Sequence, residues 1–83
     1  MSGIDKQISA LDRERDTWDQ AQQDKIKAAS GSYDTMARLE AERAAGLQAY
    51  AERETDLIRQ QYDARQQAME AAAAAYQIGR AHV

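Results

Sequence analysis

Apolar side chains recur along almost the whole chain at the spacing of one face of an α-helix. At about 100° per residue they fall within an arc of about 80°. We call this set the main stripe, and its members are Ile4, Ile8, Leu11, Trp18, Ile26, Ala29, Tyr33, Met36, Ala44, Leu47, Ala51, Ile58, Tyr62, Met69, Ala72 and Tyr76. The pattern predicts an all-α chain, with one long amphipathic helix over about residues 3–78 whose apolar face another helix covers.

The ends of this helix carry start and stop signals. Ser2 followed by Asp5 is typical of an N-cap with an acidic residue in the first turn, so we expect the helix to begin near Gly3. Ile78 is followed by Gly79, which favours a stop there. Residues 79–83 would then form a short C-terminal tail of the single helical segment 1–83.

One interruption, Ser30-Gly31-Ser32, leaves two alternatives open. In the first, the helix continues through Gly31 with at most a kink, at a cost of about 1 kcal/mol relative to Ala. In the second, the segment is a turn and the chain is a helical hairpin with helices at 3–29 and 33–78. Ser32 would cap the second helix of that hairpin, and Gly31 would take a positive φ that Ala tolerates poorly.

The phase of the main stripe favours the continuous helix, because the stripe stays in register across Gly31 and a turn does not require this. A hairpin would also pair helices of unequal length. Roughly 18 residues at the C-terminal end would then project with their apolar face uncovered, so that a hairpin would still need a partner.

The repeat of the stripe bears on how the helices pack. Ile8, Ile26, Ala44 and Tyr62 are spaced by 18 residues, which is five turns of a straight helix at about 3.6 residues per turn. A left-handed coiled coil repeats at about 3.5 residues and would drift off this face. The sequence therefore predicts nearly straight packing in a bundle or a coiled-coil-like assembly.

A second apolar patch lies beside the main stripe in the C-terminal half of the chain. It widens the apolar arc to about 160° and consists of Leu39, Gly46, Tyr50, Leu57, Ala64, Ala68 and Ala75. A helix this apolar contacts two neighbours, so we expect the C-terminal half to be the more deeply embedded. Gly46 would permit close approach of another element to the backbone.

Five polar residues interrupt the main stripe, namely Arg15, Gln22, Glu40, Glu54 and Arg65. In an oligomer they could fix the register of the helices or pair across chains. Alternatively the face is partly wet and their long side chains reach solvent.

Composition narrows the classes of function. The 83 residues contain no Pro and no Cys, and the net charge of −3 has its signs interspersed. Without a basic stripe the chain fits nucleic acid poorly. No signal peptide or transmembrane run is evident, so we expect a location in the cytoplasm or within a particle.

Candidate chemistry is sparse, so we expect no enzymatic activity, no cofactor, no small-molecule substrate and no metal or catalytic residues. His82 is the only histidine, and it has no neighbouring Cys, Asp or Glu within five residues. Glu40 and Glu54 lie fourteen residues apart, or about 20 Å along a helix, which is too far to share a substrate within one chain.

The sequence therefore predicts a non-enzymatic structural or assembly protein whose stripe packs laterally against copies of itself or against larger protein partners. A virion, a tail-like or secretion apparatus and a filament are suitable settings. The alternative is a soluble helical-hairpin adaptor or chaperone with one protein partner. Trp18 with Met36 is the expected anchor, and the full predicted interface is Ile4, Ile8, Leu11, Trp18, Ile26, Tyr33, Met36, Leu47, Tyr50, Leu57, Ile58, Tyr62, Met69 and Tyr76.

Overall fold

The chain folds into an antiparallel helical hairpin with arms of unequal length. A computed structural model describes residues 3–81, and their side chains as far as residue 76. Helix α1 spans Gly3–Ala28 and helix α2 spans Tyr33–Ala81. The molecule measures 78 × 19 × 8 Å. The all-α class is confirmed, and of the two alternatives at Ser30-Gly31-Ser32 the hairpin is the one that forms.

A short turn of hydrogen bonds closes the hairpin. Ser30 N donates to Lys27 O at 3.2 Å, and Ser32 N donates to Ala29 O at 2.9 Å. Ser32 then caps α2 as expected, since its Oγ accepts from Thr35 N at 3.4 Å and contacts Thr35 Oγ1 at 2.9 Å. This cap satisfies a backbone donor that the first turn of α2 would otherwise leave unpaired.

Gly31 has a different role from the one expected. No described glycine has a positive φ, and a Cβ built on Gly31 would have open space around it. The expectation that the hairpin turn needs positive φ at Gly31 is therefore wrong. The capping and turn hydrogen bonds stop the first helix and begin the second.

The two helices use different faces of the sequence pattern. On α1 the covered apolar residues all belong to the main stripe, with Leu11 the most buried of them at 5 % exposure. On α2 the less exposed residues include Met36, Leu39, Gly46, Tyr50 and Leu57. Together with Arg43, Glu54 and Gln61 they recur at steps of three and four residues, the pattern of a coiled-coil seam rather than the 18-residue repeat. The face that α2 presents to α1 is therefore centred nearer the second patch, about 90° from the middle of the main stripe.

The arms differ in length because α1 ends well before α2 does. Asp5, near the start of α1, accepts a hydrogen bond from Gln61 Nε2, so the start of α1 lies beside residues 61–63. The 18 residues of α2 beyond this level, 64–81, extend for about 27 Å. We call this segment the overhang. Its length matches the projecting end that the hairpin alternative predicts.

The ends of the described chain also differ in part from the sequence signals. Helix α1 begins at Gly3, as expected, whereas the proposed N-cap Ser2 lies outside the described residues. Helix α2 continues through Gly79 to Ala81, so Gly79 does not end it. Among the described residues the most buried, Leu11 and Gln22, both lie on α1, and the deeper embedding of the C-terminal half between neighbouring helices stays a prediction.

Candidate interaction surface

An aromatic contact holds the two helices together at mid-length. The ring centroids of Trp18 and Tyr50 lie 5.7 Å apart with their planes tilted by 52°. The indole also lies directly on Gly46, where a Cβ atom would overlap the ring. Gly46 thus permits the close approach expected of it. The approaching group is Trp18, which is packed inside the hairpin rather than presented as an anchor for another molecule.

Polar side chains close one flank of this contact. Tyr50 donates its hydroxyl hydrogen bond to Glu14 Oε1 at 3.2 Å, and the Arg53 guanidinium stacks 5.4 Å from the Tyr50 ring centroid. Arg53 also pairs with Glu14 at 3.6 Å. Partial burial raises the pKa of Tyr50, and the adjacent Glu14 carboxylate raises it further. Tyr50 is therefore a protonated hydrogen-bond donor at neutral pH.

A second polar cluster joins the helices closer to the turn. Arg43 donates from Nε to Asp19 Oδ1 at 2.5 Å and from its terminal nitrogen to Asp19 Oδ2 at 3.1 Å. Gln23 donates to the same carboxylate at 2.9 Å. The hydrogen bond from Arg43 is the main cause that lowers the pKa of Asp19. A bidentate pair of this kind fixes the relative position of the two helices better than a single contact does.

The five polar residues that interrupt the main stripe have separate environments. Arg15 and Glu54 form an ion pair across the hairpin at 3.5 Å. Gln22 is buried at 7 % exposure, and its Oε1 has no hydrogen-bond partner. Glu40 and Arg65 are exposed. Pairing across helices thus occurs within one chain for Arg15 and Glu54, whereas Arg65 forms no ion pair with any described residue.

The uncovered apolar surface lies along one side of α2. The large apolar residues most exposed to solvent are Tyr33 at 85 %, Ile58 at 51 %, Tyr62 at 61 %, Met69 at 65 % and Tyr76 at 68 %. All five belong to the main stripe, which α2 turns away from α1. The last four lie along one face that runs from the paired part of α2 onto the overhang, with Arg65 between Tyr62 and Met69.

This surface has the spacing of a coiled-coil seam. From residue 51 to residue 76, the exposed positions on this side of α2 are spaced by alternating steps of four and three residues, as the a and d positions of a heptad are. We call this set the outer seam, and its members are Ala51, Thr55, Ile58, Tyr62, Arg65, Met69, Ala72 and Tyr76. Tyr62, Met69 and Tyr76 occupy one of the two core positions in successive heptads.

The predicted interface residues therefore divide into two groups. Those covered wholly or partly within the hairpin are Ile4, Ile8, Leu11, Trp18, Ile26, Met36, Leu47, Tyr50 and Leu57. Those exposed are Tyr33, Ile58, Tyr62, Met69 and Tyr76. The first group packs within this chain, so that only the second presents a large uncovered surface to another molecule.

Two features of the surface are missing from the pattern of the main stripe alone. The first is the rotation of α2 about its own axis, which turns the main stripe away from α1. The sequence signal for this rotation is the second patch, whose Leu39, Tyr50 and Leu57 face α1. The cross-helix polar pairs are the other, and Asp19, Arg43 and Glu14 lie outside the predicted set. Charge spacing along one helix does not reveal which residues of an antiparallel partner lie opposite.

The described residues contain neither a candidate metal site nor a candidate membrane-spanning helix. Within them no group of three or more His, Cys, Asp or Glu side chains is placed to hold a metal ion. His82 lies outside the described part of the chain. None of the described helical segments combines the length and the hydropathy needed to cross a membrane.

Comparison with known proteins gives no relative: no protein family, no curated protein and no solved structure matches the chain at a significant level.

Proposed function

We propose that the protein is a non-enzymatic assembly component that packs laterally through the outer seam of α2. The observation that carries this proposal is the row of exposed Ile58, Tyr62, Met69 and Tyr76 on one helix face. Contiguous exposed apolar surface of this kind marks sites of protein–protein association. Tyrosine is suited to such a site, because its ring is buried while its hydroxyl keeps a hydrogen bond.

The length of the overhang supports the same role. Over the 18 residues 64–81 of α2, α1 gives the helix no cover. Packing against another helix would add the tertiary contacts from which most helical stability in proteins comes. A partner helix would therefore stabilise the overhang more than the part of α2 that α1 already covers.

The polar groups support a structural role rather than a chemical one. Arg43 with Asp19, Arg15 with Glu54 and Arg53 with Glu14 each join α1 to α2. These pairs set the relative position of the helices, and they lie on the flanks of the hairpin rather than around an enclosed cavity.

The adaptor alternative is favoured by the closed hairpin, because its two helices pack on one another within one chain. Such a module would present the outer seam to one helix of a different protein, in the manner of a helix that lays its apolar face into a groove. The two functions differ in whether the chain associates with itself.

Sedimentation velocity over a concentration series, with circular dichroism of the same samples, tests the proposal. We expect an oligomer whose helix content falls on dilution. Met69→Lys should shift it towards monomer, because a charge would be buried in the seam. Gln67→Lys is the matched control, because it adds the same charge to an exposed position on the opposite side of the overhang.

The outcomes separate the two functions. An oligomer that dissociates with Met69→Lys but not with Gln67→Lys supports assembly through the outer seam. A chain that stays a folded monomer at every concentration overturns self-assembly and favours the adaptor. An oligomer unaffected by Met69→Lys places association on another surface and contradicts the assignment of the seam.

A further inference from the structure

We propose that the outer seam binds the outer seam of a second copy of this chain in antiparallel orientation, with the two-fold axis beside residues 63 and 64. This inference rests on the proposed function and deepens it, since it names the partner, its direction and its register. Three observations carry it: the start of α1, the exposed Arg65, and the presence of a small residue, Ala51, at one end of the seam and a large one, Tyr76, at the other.

The start of α1 limits where a second copy fits. On one hairpin, α1 covers α2 only up to about residues 61–63, as the contact of Asp5 with Gln61 shows. A two-fold axis at 63 and 64 places the α1 helix of the second copy beyond that level, where the first overhang is bare. The two short helices then follow one another along the dimer and do not compete for the same space.

The overhangs fit the same arrangement. With this axis, residues 64–81 of the second copy lie beside residues 46–63 of the first, on the flank that α1 leaves open. The outer seam is about 90° around α2 from the face that packs on α1, so α2 could contact both neighbours at once. Each half of the dimer would then contain three helices side by side: α1, α2 and the overhang of the second copy.

Arg65 selects the orientation. It lies in the outer seam, is exposed, and forms no ion pair among the described residues. In a parallel dimer each seam residue faces its own copy, so two guanidinium groups would meet between the helices, which is unfavourable. In the antiparallel register, Arg65 faces Tyr62 of the second copy, and a guanidinium stacks favourably over a tyrosine ring. The two-fold axis makes this contact twice.

The end positions of the seam are complementary in size. Met69 would face Ile58 of the second copy, and Tyr76 would face Ala51 of the second copy, so that a large side chain meets a small one at each end of the contact. Large and small residues alternating across an interface pack without voids or overlaps. No pair in this register brings two tyrosines together.

The area is sufficient for a specific dimer. Ile58, Tyr62, Met69 and Tyr76 are each more than half exposed. If each buries roughly 100 Å², two copies bury roughly 800 Å² from these positions alone. Ala51, Ala72 and the flanking Gln side chains would add to this and bring the contact to the ~1,000 Å² that a specific interface needs.

Disulfide trapping tests the register. Because the chain contains no cysteine, only the introduced thiols can form a crosslink. Ile58→Cys and Met69→Cys are prepared as separate proteins and oxidised either alone or as an equimolar mixture. We expect the mixture to form a covalent dimer of one chain of each kind. Each variant alone should crosslink at least tenfold more slowly, because its two thiols would lie about 16 Å apart along the dimer, beyond disulfide reach.

Removing the charge of Arg65 gives an independent test, because the dimer dissociation constant should change in opposite directions for antiparallel and parallel association. Arg65→Gln should weaken the antiparallel dimer roughly fivefold to thirtyfold in Kd, since two stacked contacts are lost. In a parallel dimer the same change should tighten association, because it removes a repulsion. Arg38→Gln, at an exposed position on the far side of α2, is the control and should leave Kd unchanged.

The results distinguish failure of this inference from failure of the proposed function. Rapid crosslinking of either variant with itself, or tighter association of Arg65→Gln, overturns the antiparallel register while the chain still assembles through its seam. A monomer at every concentration overturns both. Crosslinking confined to the mixture, together with weaker association of Arg65→Gln, supports the inference.

Discussion

The hairpin and the overhang are parts of one helix in two different environments. Up to about residue 62, α2 has α1 along one face, with Trp18 on Gly46 and three cross-helix ion pairs. Beyond it, none of the described residues of α1 lies beside the same helix or forms an ion pair with it, although Met69 and Tyr76 continue the apolar pattern. The apolar pattern of α2 therefore extends along more of the helix than α1 covers.

The largest contrast between the two regions should come from removing one apolar side chain in each. Leu11→Ala should lower the free energy of unfolding of the hairpin by about 2–3 kcal/mol, because Leu11 is the most buried apolar residue. Met69→Ala should leave it within about 0.5 kcal/mol, as expected for an exposed site. Urea unfolding followed by circular dichroism, at concentrations where the chain is monomeric, checks both values. Equal losses would mean that the overhang is packed within one chain.

Gly46 offers a way to break the hairpin without touching the outer seam. Gly46→Ala should destabilise the hairpin by about 1–3 kcal/mol, because the added methyl group overlaps the indole of Trp18. Thermal unfolding measures the loss. Gly31→Ala is the matched control, and it should be neutral or slightly stabilising, because nothing lies near its Cβ position and its φ is not positive.

A double variant checks the cause. In a Trp18→Ala background the methyl group of Gly46→Ala has room, and Ala is the better helix former by about 1 kcal/mol. The same substitution should then stabilise the chain. A destabilising effect of similar size in both backgrounds would rule out the overlap with Trp18 as the reason.

Gln22 gives a smaller effect of the opposite sign. Its Oε1 is buried without a hydrogen-bond partner, and an unsatisfied buried acceptor costs about 1–3 kcal/mol. Gln22→Leu has similar volume and should stabilise the hairpin by about 1 kcal/mol in the same urea assay. Gln67→Leu, at an exposed position on the overhang, is the comparison and should have no measurable effect on a monomer. Destabilisation by Gln22→Leu would show that the amide has a partner in solution.

The smallest expected effect is the acid sensitivity of the cross-helix pair of Arg43 and Asp19. Because the pKa of Asp19 is lowered in the folded chain, its contribution is present above the ordinary Asp pKa of about 4 and is lost as the pH falls through the lowered value. Asp19→Asn should reduce stability at pH 7 and flatten the loss in acid. The comparison is Asp63→Asn, at an exposed position. Parallel pH profiles for wild type and Asp19→Asn would contradict this role.

Much of the secondary structure follows from the sequence, because helix-forming composition and periodicity are local properties. The cap at Ser32 and the projecting end were predictable for the same reason. The choice between a continuous helix and a hairpin was not predictable, because it depends on how α1 docks onto α2. The phase of the main stripe across Gly31 indicated the wrong alternative. The candidate surface was half predictable: the main stripe contains Tyr62, Met69 and Tyr76, but only docking shows that Trp18 and Leu11 are used inside.

Helix α2 continues without a break past the start of α1, and this limits which insertions and deletions the outer seam can accommodate. One continuous helix joins Ile58 on the hairpin to Met69 on the overhang, so the angle between them is set by the number of residues that separate them. A single inserted residue after Tyr62 would rotate the overhang by about 100° relative to the hairpin. An insertion or deletion of one or two residues in this stretch would therefore turn the two halves of the outer seam out of alignment, whereas a change of seven residues would keep them within about 20°.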